Sequence, residues 1–201
     1  MSVQAPEKKS WVRVATEMEA GVWKSIHAWV TRKPRVPEGA TAFPYVSAVS
    51  TVLWVFIILS AVEIPIFDLI FHPWPWLRFP ILALGIWGLT FMIGFGLSMV
   101  VNPHAVGPDG IRIRNGASLD ILVPWSAVRG VTMQQRGLEK SKTVKVHEGV
   151  VSVAVVSETN VDVEFEHPLT VTLPSGDVAA TAIRFRADDP AALVRAAREY
   201  L

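Results

Sequence analysis

The sequence predicts an α+β membrane protein, in which a two-helix transmembrane hairpin precedes a β-rich domain that ends in a helix. Two observations predict this fold class. Two long apolar blocks lie in the first half of the chain, and only the short Trp- and Pro-rich segment 72–78 separates them. From residue 103 onward, apolar and polar residues alternate with a period of two, which is typical of strands with one buried face.

The two apolar blocks are each long enough to cross a bilayer. We expect spans at about residues 44–64 and 80–101, within a hairpin that occupies residues 43–102. The second block carries no charge, and at about 1.5 Å per residue it measures about 33 Å, against about 30 Å for the hydrocarbon core. The alternative, a pair of core helices in a soluble protein, is disfavoured because such long uncharged runs are rare there.

Flanking cations predict the orientation of the hairpin. Residues 1–42 hold seven Lys/Arg against four Asp/Glu, and Arg112 and Arg114 follow the second span, whereas the connecting loop has only Arg78. The positive-inside rule then places the N-terminus and the C-terminal domain in the cytoplasm. The expected location is the cell (inner) membrane, which the chain crosses as a multi-pass protein.

The cytoplasmic N-terminal segment, residues 1–42, contains a predicted amphipathic helix at about residues 10–33. Apolar residues recur there every three to four positions, and Pro34 ends the pattern. A cationic, Trp-bearing helix beside a span favours the membrane interface, and docking into a groove on a partner protein is the alternative. Its candidate contacts with lipid or a partner are Trp11, Trp23 and Trp29.

The spans contribute two further sets of candidate residues. Glu63 and Asp68 flank Pro65. They are hydrated at the outer interface if the first helix ends near Val62, which we favour, whereas Glu63 enters the lipid if the helix continues to Phe71. Small residues on the second span predict a helix-packing seam against the first span or a partner protein. These residues are Gly88, Gly94, Gly96 and Ser98.

Residues 103–201 form the predicted cytoplasmic domain. Alternating segments, separated by turn signals such as Asn115-Gly116, predict about seven strands. The triplet Asp188-Asp189-Pro190 provides an acidic cap and a first-turn proline, so a helix follows it. The residues expected on the buried face of this helix are Leu193, Val194, Ala197 and Leu201.

This domain resembles bacterial pleckstrin-homology (PH)-like domains over residues 106–113, 123–131 and 188–193. The whole chain is similar to the uncharacterised two-span membrane proteins of high-GC Gram-positive bacteria that carry such a domain at the C-terminus. The resemblance implies a PH-like β-barrel of about seven strands, plugged by the C-terminal helix. It also implies an interaction module without catalytic residues.

Charged residues of the domain allow two interpretations. Arg112 and Arg114 form either a phosphate site or ion pairs with acidic residues of other strands, and we favour the ion pairs. The acidic face at residues 162–166 is likewise expected opposite Arg184 and Arg186. The most basic stretch is a candidate contact for anionic lipid or a partner, or else a solvated hairpin. Its cations are Arg136, Lys140, Lys142 and Lys145.

The sequence holds no catalytic or metal-binding motif. The chain has no cysteine, its five histidines are scattered, and no H-x-x-x-H, G-K-[ST] or G-x-S-x-G pattern occurs. We therefore expect no enzyme activity, no metal and no cofactor. A net charge of +1 also argues against nucleic-acid binding, which needs a basic surface.

These features together predict a non-catalytic, membrane-anchored interaction or accessory protein. Its PH-like domain is expected to dock onto a partner protein, and its partners are membrane lipids and either other membrane subunits or further copies of itself. One alternative is a PH-like module that senses membrane lipid. Another is a small transporter component or an enzyme that uses the carboxylates Glu63 and Asp68.

Overall fold

The computed structural model describes residues 11–31, 35–138 and 143–201, with side chains from residue 19 onward. Two long apolar helices precede a sheet-rich region that ends in a short helix. The helices of the described part are α1 (Trp11–Val30), α2 (Ser47–Ile70), α3 (Pro75–Val101) and α4 (Pro190–Arg198). A short 3₁₀ turn also spans Trp125–Ala127.

Helices α2 and α3 pair as an antiparallel hairpin, and each is long and apolar enough to cross a membrane, with mean hydropathies of 2.2 and 1.9. Helix α2 has no buried residue. Its half-buried positions recur every three to four residues and define the side toward α3: Leu53, Ile57, Ser60 and Ile64. The rest of α2 is an exposed apolar surface, unlike the mostly buried core helix of a soluble protein.

The first span is longer than the sequence suggested. Helix α2 continues through Pro65 to Ile70, so the favoured end near Val62 is wrong and Glu63 and Asp68 both lie inside the helix. Helix α3 likewise begins at Pro75, in the connecting segment. Proline at the first helical positions is compatible with this start, because the backbone N–H that it lacks has no intrahelical partner there.

The sheet-rich region contains two open sheets, so the prediction of a closed barrel is wrong. One sheet has the order β1-β2-β3-β4 and is antiparallel, and the other has the order β5-β8-β9-β7-β6. Strand β7 pairs parallel with β9, so the β6–β7 hairpin extends the second sheet outward instead of closing it. The strands are β1 (Thr41–Phe43), β2 (His104–Gly107), β3 (Gly110–Asn115), β4 (Leu119–Val123), β5 (Val128–Gly137), β6 (Val144–His147), β7 (Val150–Val153), β8 (Glu158–Leu173) and β9 (Gly176–Phe185).

One strand of the first sheet comes from the segment before the hairpin. Strand β1 pairs with β2, Thr41 opposite Val106, and Phe43 is buried in the core of the β region. The predicted domain boundary between residues 42 and 43 therefore falls inside a strand. The chain enters the sheet, leaves it to form the hairpin, and returns to the same sheet at β2.

Helix α4 packs into the shared core of the two sheets. Leu193, Val194 and Ala197 are buried as predicted, whereas Leu201 is exposed because the helix ends at Arg198. The carboxylate of Asp189 accepts a hydrogen bond of 2.9 Å from the backbone N–H of Ala192 and so caps the helix.

Helix α1 packs along the C-terminal half of α3. Val22, Ser25 and Ala28 are buried. A side chain at Gly94 of α3 would overlap Val22 and Ile26, so the glycine permits this close approach. The amphipathic stripe therefore contacts the protein's own hairpin, while Trp23 and Trp29 stay about half exposed on its other sides.

Candidate functional site

The open end of the hairpin meets the β region in a densely connected junction. Both carboxylate oxygens of Asp188 lie within hydrogen-bonding distance of the backbone N–H of Ser47, the closer at 3.1 Å, and one also accepts from the Ser47 hydroxyl at 2.5 Å. The N–H of Asp188 in turn donates to the carbonyl of Pro44 at 2.8 Å. A carboxylate at a helix N-terminus satisfies free N–H groups and complements the helix dipole. The segment before α4 thus holds the start of α2.

An aromatic stack lies under this junction. Tyr45 is fully buried, and its hydroxyl oxygen accepts a hydrogen bond of 2.7 Å from the N–H of Gly116. Its ring lies 4.5 Å from that of His104, which lies 4.7 Å from Phe185 in an edge-on arrangement. The stack joins the segment just before α2, the first residue of β2 and strand β9, the middle strand of the second sheet.

His104 is buried as a neutral imidazole with both nitrogens satisfied. Its Nδ1 accepts from the backbone N–H of Arg114 at 3.1 Å, and its Nε2 lies 2.9 Å from the carbonyl of Arg186. Nε2 therefore carries the proton and donates it to that carbonyl. Burial, together with the nearby Arg114 guanidinium, lowers the pKa of His104 to about 4.

The environment of Tyr45 predicts that its hydroxyl loses the proton only at unusually high pH. Burial, as the main cause, raises the pKa of Tyr45 to about 12. Because the pKa of Tyr45 is higher in the folded than in the unfolded chain, neutral Tyr45 contributes to the free energy of unfolding. This contribution is fully present below the ordinary pKa of about 10 and is lost as the pH rises toward 12. A spectroscopic titration of tyrosinate should show a late step that disappears in Tyr45→Phe. A late step that survives the substitution would contradict this assignment.

Arginines of the first sheet are paired within the protein. Arg114 is buried, donates to the carbonyl of Arg35, and places its Nε 3.3 Å from Asp120. Arg112 pairs with the same carboxylate at 2.7 Å. The N–H of Arg35 donates to the carbonyl of Val101, the last residue of α3. The predicted pairing of these arginines with an acidic residue of another strand is confirmed.

Acidic and basic side chains of the second sheet also form ion pairs with each other. Asp162 pairs with Arg184 across the β8–β9 ladder and with Arg136 of β5, each at 3.2 Å. The predicted pairing is confirmed for Asp162 with Arg184. Arg186 instead pairs with Glu158, and Glu166 lies 3.6 Å from Arg129. Arg136, a candidate lipid contact, pairs with Asp162. Lys145 is half-buried on β6, whereas Lys140, Lys142 and the side chain of Trp11 lie outside the described residues.

A cavity of about 450 Å³ opens beside the junction. Its walls come from three parts of the chain: Val22 of α1, residues of both hairpin helices at their open end, and turns of the β region. The hairpin side consists of Val49, Leu53, Phe95, Ser98 and Met99, and the β side of residues 115–118, 143–144 and 154–156. Its volume is within the range of about 300–1,000 Å³ typical of small-molecule sites.

The cavity rim contains a strained turn. Val155 and Glu158 exchange two backbone hydrogen bonds, and the two residues between them have positive φ angles, 52° for Val156 and 59° for Ser157. Such a turn normally carries Asn-Gly, and a β-branched residue in this region costs about 1–2 kcal/mol. The Val156 side chain is 60 % exposed at the rim.

The small residues of α3 have different neighbours. A side chain at Gly96 would overlap Leu53 of α2, and Ser98 lies beside Gly116 while its hydroxyl donates to the carbonyl of Phe95. A side chain at Gly88 would meet no atom within 4 Å. The predicted small residues therefore do not form one packing surface. Gly94 packs against α1 and Gly96 against α2, whereas Gly88 faces no neighbouring atom.

The two carboxylates at the turn end of the hairpin occupy different environments. Asp68 accepts two hydrogen bonds from Arg78, of 2.5 and 2.9 Å, which join the end of α2 to the start of α3. Glu63 is exposed on another side of α2 and has no ion-pair partner among the described residues. Because Asp68 is engaged and the two groups point apart, they do not form a common site.

Sequence reasoning missed the residues that connect the two halves. Tyr45 lies in the linker before α2 and His104 begins β2, and neither belongs to a motif. Asp188 is interpreted from sequence as a turn or cap residue of the following helix. The structure shows that Asp189 caps α4 and Asp188 caps α2, which is 141 residues distant. No local pattern indicates such a pairing.

Potential metal ligands do not cluster in the described residues. Across residues 11–31, 35–138 and 143–201, no three His, Asp or Glu side chains are placed to hold a metal ion. In comparisons with known proteins, no family model, curated protein or solved structure matches the chain.

Proposed function

We propose that this protein is a non-catalytic accessory subunit of a membrane complex. The hairpin crosses the cell membrane with its open end and the β region on the cytoplasmic side, and other membrane helices pack on α2. The β region docks a partner protein at the membrane surface. The observation that carries the proposal is the unpartnered Glu63 on the exposed apolar surface of α2.

The position of Glu63 is costly in lipid. It lies five residues before Asp68, about 7.5 Å deeper along the helix axis. Five residues turn an α-helix by about 140°, so Glu63 faces away from the Asp68–Arg78 pair. Ionisable groups within spans almost always face protein, since their burial in lipid costs on the order of 3 kcal/mol. A second membrane helix on this side would satisfy the carboxylate.

The β region favours a protein partner over an anionic membrane surface. Its arginines are largely neutralised by carboxylates of the same sheets. Both sheets are open, and β4, β5 and β6 are edge strands in the described structure. Exposed apolar side chains accompany each of these strands: Leu122, Met133 and Val146. An unpaired strand edge with apolar neighbours suits a partner segment that adds a strand.

Replacement of Glu63 tests the membrane partner. After purification in mild detergent, the wild-type chain should migrate as a complex, and Glu63→Leu should lose most of it because the polar contact disappears. Glu63→Gln should retain part of the complex through its amide. Leu84→Ala, at an equally exposed position of α3, is the control and should retain all of it. Recovery of monomer alone from wild type in every mild detergent would overturn the proposal.

A further inference from the structure

We propose that the junction cavity is a lipid site that takes one acyl chain of a bilayer phospholipid. This inference rests on the proposed membrane location of the hairpin. It assigns a ligand to a cavity that no motif in the sequence indicates.

The first argument is continuity with the hairpin surface. Leu53 and Phe95 line the cavity and also belong to the helices whose outer sides are exposed and apolar. Val49 and Met99 continue the wall toward the β region. In a membrane, the cavity therefore opens where the hydrocarbon of the bilayer ends, and an acyl chain reaches it without crossing water.

The second argument is the chemistry of the lining. Aliphatic and aromatic side chains make up most of the wall, and the hydroxyl of Ser98 already donates to the carbonyl of Phe95. Water against these apolar walls forms few hydrogen bonds, whereas a flexible hydrocarbon chain needs none. The lining therefore favours an apolar ligand that fits its shape, and it provides no charged group to bind a polar metabolite.

The third argument is the strained turn at the rim. Backbone strain persists where surrounding structure gains from it, and it clusters at ligand sites. Here the positive φ of Val156 holds an exposed apolar side chain beside Val155 at the cavity rim. In water this side chain has no favourable contact, but beside an acyl chain it extends the apolar wall.

The test uses the full chain in vesicles of phosphatidylglycerol whose acyl chain carries a photoreactive diazirine. We expect labelling of α2 and also of the turn residues 115–118 and 154–156, which lie outside the hairpin. Thr143→Trp should reduce the turn labelling several-fold, because Thr143 lines the β side of the cavity and a bulky ring there would occupy part of its volume. Thr170→Trp, an equally exposed position of β8 away from the cavity, should leave it unchanged.

The two proposals fail in different ways. Labelling of α2 without the turns, or turn labelling that Thr143→Trp does not reduce, would overturn the lipid site and leave the membrane location intact. Absence of label from α2 as well would overturn both.

Discussion

Acidification from about pH 7 to about pH 4 is expected to cost the folded protein about 3 kcal/mol through His104 alone. The folded-state pKa of His104 is about 4, whereas an unfolded histidine titrates near 6.5. Between these values the unfolded chain binds a proton that the folded chain does not. Stability therefore falls as the pH falls through this window, because the buried ring would have to be charged without a partner.

The variant His104→Gln isolates this contribution. Its side-chain amide can donate to the carbonyl of Arg186 but does not titrate. Thermal unfolding in detergent, followed by tryptophan fluorescence, should show a steeper loss of stability with acid in wild type than in the variant. Equal pH dependence in the two proteins would show that His104 is protonated or exposed in the folded state.

Enlarging Gly94 is expected to destabilise the protein by about 1–3 kcal/mol, the usual cost of overpacking a close contact. In Gly94→Leu the new side chain would occupy the space of Val22 and Ile26, so α1 must move away from α3. Thermal unfolding and proteolysis of α1 in the purified protein should both report this loss.

Gly88→Leu is the matched control for this prediction. It places the same side chain on the same helix, six residues earlier, where no atom lies within 4 Å. The isolated chain should tolerate it with little change in unfolding temperature. Equal destabilisation by the two substitutions would contradict the prediction. The loss of stability would then come from placing a leucine on α3, and the contact between α1 and α3 would not be its cause.

Local patterns predict most elements of this fold, but not strand β1 (Thr41–Phe43). The apolar blocks predict the two long helices, period-two alternation predicts strands such as β3 (Gly110–Asn115), and the acidic cap with Pro190 predicts α4. These features depend on side-chain periodicity and capping within a few residues, which the sequence displays directly. The favoured end of α2 near Val62 is wrong because the helix continues past the uncharged run and through Pro65 to Ile70.

The arrangement of the sheets could not be predicted in the same way. Strands β7 and β9 are separated by the whole of β8, and their parallel pairing leaves the sheet open. Alternation identifies which face of a strand is buried, but it carries no information about which strand lies beside it. The closed barrel that the PH-like resemblance implies is therefore wrong, because the strand order leaves both sheets open.

Hydropathy and its period are properties of neighbouring residues, and they are enough to predict that two apolar helices precede a β-rich region. How these parts meet depends on contacts between distant residues. The Asp188–Ser47 cap, the Tyr45–His104 stack and the cavity beside them join residues from distant parts of the chain. Such contacts arise when the whole chain is packed, and no single segment encodes them.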